Sequence, residues 1–150
     1  LDPYLFKRCF TYYAAIRRPT SSQNMPPSPL SNEQWVYSRR PEGRVGPEHY
    51  ERRRVPFDPA VAANEVAVET RFISVDPYMR IQQAVRDTYD VPHPIGIVQR
   101  AGTVGQVLAS ASERFQAGDW VLGYGGWQRF HRAIAAAFWA RQRISAGGRR

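Results

Sequence analysis

Between Glu65 and Val75 the side chains alternate, with Val66, Val68, Thr70 and Phe72 on one face and Glu65, Ala67, Glu69 and Arg71 on the other. A period of two predicts a half-buried strand whose second face meets water. Upstream, QWVYS is a short aromatic and β-branched run, PEGRVGPEHY is a loop rich in glycine and proline, and YERRRVPF predicts an exposed strand that Pro56 ends. Downstream, Asp76 is suited to cap a helix and Pro77 to occupy its first turn, so PYMRIQQAV predicts a short helix or turn. Gly96, Gly102 and Gly105 then punctuate apolar pairs where strands bend or bulge. Ala117-Gly118-Asp119 reads as a tight turn into the strand WVLGY, which Gly125-Gly126 breaks before a last strand, WQRFH. Many short strands joined by glycine turns describe a mainly β protein, a small antiparallel barrel or sandwich.

Both flanks depart from this pattern. PTSSQNMPPSPLS, residues 19–31, carries four prolines and predicts an extended linker, preceded by an aromatic segment too short to fold alone. At the other end, RAIAAAFWARQRISAGGRR is dominated by alanine and arginine. Ile134 and Phe138 are spaced for one helical face, which predicts a basic helix or a stretch without evolved structure. The division is therefore 1–31 as an unassigned extension, 32–131 as the folded domain and 132–150 as a basic tail.

Composition locates the charge. The chain of 150 residues has a net charge of +8, but residues 32–131 hold twelve basic and twelve acidic side chains, so the excess lies wholly in the flanks. A neutral body argues against nucleic acid as its partner. The mean hydropathy of −0.52, and the lack of an apolar run near the ~20 residues a bilayer demands, argue against a membrane. Cys9 is the single cysteine, so neither an intrachain disulfide nor a thiolate metal cluster can form, and a reducing cytoplasmic setting is expected.

The candidate chemistry is sparse. Ser74, His93 and Asp76 are the residue types of a hydrolytic triad, yet no nucleophile-elbow pattern surrounds Ser74, and His93 lies between two prolines. His49, His93 and His131 lack the spacing of metal ligands. Gly123-Tyr124-Gly125-Gly126 begins like a dinucleotide fingerprint but meets Gln128 at its third required position, so it reads as a glycine bend.

Four collinear blocks, NEQWVYSRRPEG, ISVDPYMR, AGTVGQVLAS and FQAGDWVLGYGGWQ, together resemble the N-terminal part of the zinc-independent medium-chain dehydrogenase/reductases, in the branch of prostaglandin, leukotriene and alkenal double-bond reductases. The resemblance covers roughly 32–130 and implies a GroES-like, partly open β-barrel. It implies NADPH as cofactor, held mostly by a Rossmann domain across a cleft. It also implies an enone or enal as the small-molecule substrate, its C=C bond reduced by hydride, with no metal needed. By the same resemblance, Pro77, Tyr78 and Met79 are candidates for contact with the nicotinamide, and Tyr124 and Trp127 for contact with substrate. Asp76 and Arg80 are expected in structural roles, as a helix cap and as a partner for carboxylates.

The pattern ends near His131, and neither a Rossmann βαβ unit nor its glycine-rich turn follows. Flanks translated from a shifted reading frame around half of a gene would account for this. The barrel half alone is then expected to bind NADPH weakly. Two alternative readings are an inactive truncated fragment and a small binding module whose basic tails engage an acidic partner.

Overall fold

A computed structural model describes residues 29–84 and 91–142, with backbone alone at 140–142. Seven strands and one short α-helix form its frame: β1 (Leu30–Tyr37), β2 (Tyr50–Phe57), β3 (Glu65–Ile73), α1 (Tyr78–Gln82), β4 (Thr103–Ser110), β5 (Trp120–Gly123), β6 (Phe130–Ile134) and β7 (Ala140–Gln142). All pairing is antiparallel. β1 and β2 form a hairpin in register from Leu30 opposite Phe57 to Tyr37 opposite Tyr50. The other five strands form a sheet in the order β6-β3-β4-β5-β7.

The free edge of β1 joins the two sheets. The Trp35 amide donates to the Trp127 carbonyl at 2.9 Å, the Gln99 amide to Trp35 at 2.9 Å and the Tyr37 amide to Ile97 at 2.8 Å. An edge that would otherwise expose unpaired backbone is thus closed by the segments before β4 and β6. The result is mainly β, as the strand pattern predicts, and of the two architectures that pattern left open it is the partly open barrel that the family resemblance implies.

β3 lies inside the sheet and is covered on both sides. Val66 and Val68 pack with Val107, Phe115, Val121, Ala135 and Phe138 in one core. Ala67 belongs to a second core with Phe57 and Phe130, whose rings stack 5.3 Å apart. The expectation that Ala67 faces water is therefore corrected: β2 and β6 carry aromatic rings over that side. Further along the same face, Glu69 is only 12% exposed and is neutralised by Arg71 at 2.6 Å and Arg129 at 3.4 Å.

A second correction concerns the end of the chain. Residues from Ala133 on do not continue as a helix: Phe130–Ile134 pairs with β3, Ala135–Ala137 makes one 3₁₀ turn, and β7 pairs with β5. The physical reason lies in Phe138. It is 2% exposed, edge-on to Phe115 at 5.8 Å and against the His131 ring at 5.9 Å, whereas Ile134 is 60% exposed. Burying one large ring in the barrel outweighs the few tenths of a kcal/mol per residue by which alanine favours a helix. Residues 143–150 and residues 19–28 of the linker expected at 19–31 lie outside the described residues, and the end of that linker is corrected, since Leu30 and Ser31 already belong to β1 and pair with Phe57 and Pro56.

Candidate functional site

The site is built where β3 ends. Ser74 is held from three directions: its amide donates to the Gly102 carbonyl at 2.8 Å, its Oγ accepts from the Gly102 amide at 3.0 Å, and its carbonyl accepts from the Trp127 indole at 3.2 Å. Pro77 then starts α1 with φ −57° and ψ −31°. The turn is closed by backbone, the Met79 amide donating to the Asp76 carbonyl and the Arg80 amide to the Pro77 carbonyl, both at 3.1 Å. No side-chain cap is formed, which corrects the capping role expected of Asp76. Arg80 also differs from expectation, since its guanidinium reaches the carbonyls of Pro41 and Gly43 at 3.4 and 3.2 Å rather than a carboxylate. It fastens the loop after β1 onto α1.

The loop from Gly123 to Trp127 stands opposite. The Gly125 amide donates to Thr103 Oγ1 at 3.0 Å, and the Gln128 side chain donates to the Gly125 carbonyl at 2.8 Å. A Cβ on Gly125 would come within 2.4 Å of the His131 ring, and Gly126 has φ +75°. Both glycines are thus demanded by geometry, one by close approach and the other by a left-handed backbone. His131 beneath the loop is 7% exposed, and burial lowers its pKa to about 4. At neutral pH the loop rests on an uncharged ring.

α1 divides the predicted residues between two places. On its outer side the Tyr124 hydroxyl donates to the Tyr78 hydroxyl. Trp139 lies edge-on to Tyr124 with centroids 5.8 Å apart, and Tyr124 and Trp139 are both exposed. Burial raises the Tyr78 phenol above its ordinary range. Tyr78 therefore stays protonated at neutral pH and can serve as a hydrogen-bond donor. Pro77 is exposed beside it. This face presents neutral hydroxyls beside an apolar ring. The nearby cation Arg80 is tied to two carbonyls through one of its guanidinium nitrogens.

Met79 and Trp127 lie elsewhere. Met79 is 5% exposed and turned inward, where with Trp35, Tyr50, Ile73, Gln83 and Trp127 it lines a cavity of ≈ 570 Å³ between α1 and the β1–β2 hairpin. The Tyr50 and Trp127 rings are 5.2 Å apart at 33°. Gln83 donates to the Tyr50 hydroxyl at 2.7 Å and to Gln99 Oε1 at 3.0 Å. Neither Tyr78 nor Tyr124 is on this wall. Sequence reasoning named four of these aromatic and thioether residues but missed Trp35, Tyr50, Gln83 and Trp139. The available signals were the aromatic pair QW and HY flanking the glycine-proline loop, and an aromatic FW pair inside the alanine-rich end.

Comparison with known proteins agrees with this architecture. Residues 33–140 match the family described as the N-terminal domain of oxidoreductase. The NADPH-dependent curcumin reductase of Escherichia coli is 40% identical over 101 residues, which cover 66% of this chain and 28% of that protein. Among solved structures, CurA from Vibrio vulnificus superposes with a TM-score of 0.68 at 31% identity, covering 77% of this chain and 34% of CurA. The complex of CurA with NADPH gives 0.62 at 35% identity, covering 67% and 30%. The chain thus spans about a third of these relatives' length.

Proposed function

Because the chain belongs to the zinc-independent medium-chain dehydrogenase/reductases, a family of NADP(H)-dependent oxidoreductases, we propose that it forms the barrel wall of an NADPH-dependent reductase acting on the C=C bond of α,β-unsaturated ketones or aldehydes. The observation that carries this reading is the Tyr78–Tyr124 hydroxyl pair at an exposed, apolar edge. NADPH, when bound, supplies the hydride. The chain's own residues orient and polarise.

Tyr124 donates to Tyr78, which leaves the Tyr78 proton to be directed at a substrate carbonyl oxygen. Negative charge grows on that oxygen as hydride reaches the β-carbon, so a fixed neutral donor is worth more in the transition state than in the ground state. Tyr78 is well suited because its raised pKa keeps the proton in place. Trp139, edge-on to Tyr124, offers an apolar surface beside the phenols, and Pro77 and Tyr78 face the nicotinamide end. Met79 and Trp127 support the wall from behind.

A chimera tests this. Residues 33–140 of this chain replace the matching third of the Escherichia coli curcumin reductase, and the product is mixed with NADPH and 4-phenyl-3-buten-2-one. The expected product is the saturated ketone, with Tyr78→Phe lowering kcat/KM about ten- to a hundredfold, the loss of one hydrogen bond to a developing charge. Formation of the allylic alcohol, or a Tyr78→Phe chimera as active as its parent, would overturn the reading.

A further inference from the structure

Trp139 stands at the edge of the outer face as a large apolar side chain in solvent. It is 63% exposed, while its neighbour Phe138 is 2% exposed. Its backbone is fixed on both counts: the Trp139 amide donates to the Leu122 carbonyl at 2.9 Å, and Phe138 anchors the step before it, edge-on to Phe115 at 5.8 Å. The space that the Phe138 ring fills is the one a side chain on Gly123 would take. With Tyr124 beside it, the indole forms a contiguous aromatic patch rather than a lone exposed residue.

The two rings meet at 71° with centroids 5.8 Å apart, and at 48% and 63% exposure both present surface to solvent. Rings at so steep an angle form a corner. A third ring laid in it stacks on one wall and meets the other edge to face, the two arrangements that aromatic pairs prefer, whereas a saturated ring of the same size gains contact area alone. The Tyr124 ring carries the hydroxyl that donates to Tyr78, so the corner adjoins the phenol assigned to the substrate carbonyl. Its walls, a phenol ring and an indole, bear no formal charge.

We propose that Trp139 is a specificity-determining residue, which makes the reductase prefer substrates whose C=C bond carries an aromatic ring. The inference rests on the enone reading and adds to it the residue that selects among enones. A conjugated enone is planar and rigid, so with its carbonyl oxygen on Tyr78 a ring on the β-carbon reaches the corner already ordered. A flexible chain at the same place surrenders rotamer freedom and finds no ring pairing. The contacts with Trp139 are the same before and during hydride transfer, so they strengthen binding rather than the chemical step.

The chimera carrying residues 33–140 in the Escherichia coli curcumin reductase is assayed with NADPH on 4-phenyl-3-buten-2-one and on 4-cyclohexyl-3-buten-2-one, which match in size and differ in the aromaticity of one ring. In Trp139→Leu the KM for the phenyl ketone should rise about tenfold, from lost ring pairing and lost area, and that for the cyclohexyl ketone about threefold or less, from lost area alone. The change should fall on KM rather than kcat, the mark of an interaction shared by ground and transition states. Trp139→Phe restores a ring and should recover most of the preference; should Trp139→Leu fail to fold, Trp139→Met takes its place. KM values that rise by one factor for both ketones, as when Trp139 packs against the rest of the enzyme, or that do not rise at all, overturn the inference and leave the enone reading standing. Reduction of neither ketone by the parent chimera overturns both.

Discussion

The two sides of α1 are made from adjacent residues and do opposite things. Outside, Tyr78 pairs with Tyr124 and leaves an aromatic edge in solvent; inside, Met79 and Gln83 close a recessed apolar cavity against the hairpin. Successive helical positions point about 100° apart, so a single turn suffices to separate the two. The outer face rests on a loop fixed by backbone and by His131, and the inner one on side chains that hydrogen-bond each other. The difference teaches that a short block of sequence can serve two surfaces whose rigidity has different origins.

The largest expected effect tests the support of the outer face. His131 has its pKa lowered to about 4 from the ordinary 6.5, so the folded state resists the proton that the unfolded chain accepts. Its contribution is complete above pH 6.5 and is lost as pH falls from there to 4, by about 3 kcal/mol. Urea unfolding between pH 7 and 4 should show this loss, and His131→Phe should flatten that part of the profile. The carboxylates Glu33 and Glu51 are held below their ordinary pKa by bonds to Arg52 and Arg53, so both curves retain a further decline at lower pH.

Next in size is Gly125→Ala, which forces a methyl group into the His131 ring. Overpacking of this kind costs about 1–3 kcal/mol. Pairing it with His131→Ala should cost less than the sum of the two, read from denaturant midpoints. A strictly additive pair would show that the loop does not rest on the ring.

Smaller effects sharpen the separation of the two sides. Tyr124→Phe removes the donor to Tyr78 and should destabilise the chain by no more than about 1 kcal/mol, read from a denaturant midpoint. A loss several times larger would show that the two faces are coupled through α1. The smallest change expected is Tyr37→Phe: the Tyr37 hydroxyl reaches the Gln83 carbonyl at 3.3 Å, a long bond worth a few tenths of a kcal/mol in a thermal melt.

Much of the frame could be read from the sequence because it obeys local rules. The alternation expected over Glu65–Val75 became a strand that stops at Ile73, the run from Tyr50 became a strand that continues through Pro56 to Phe57 rather than ending at the proline, and Pro77 opened the helix. Long-range pairing was not legible. That Ala67 is buried depends on Phe57 and Phe130, which are distant in sequence, and Trp139 reaches Tyr124 only because β7 adds to β5. Gln83 reads as a polar residue near a helix end; its place on a cavity wall follows from Tyr50 and Gln99 meeting it across the hairpin. Candidate residues were found by type, but their division between two surfaces required the fold.

Arg40 has a wider consequence. Its guanidinium donates to the carbonyls of Gln83 at 3.4 Å, Ala84 at 3.0 Å and His93 at 3.0 Å, and the His93 amide donates to Gln82 at 2.7 Å. The two ends of the intervening stretch are thereby buckled together by groups outside it. Doubling the length of a closed loop costs only about 0.6 kcal/mol, so chain inserted between Ala84 and His93 is borne by the buckle rather than by either surface of α1. A connection fastened at its two ends in this way can be lengthened at little entropic cost to the barrel.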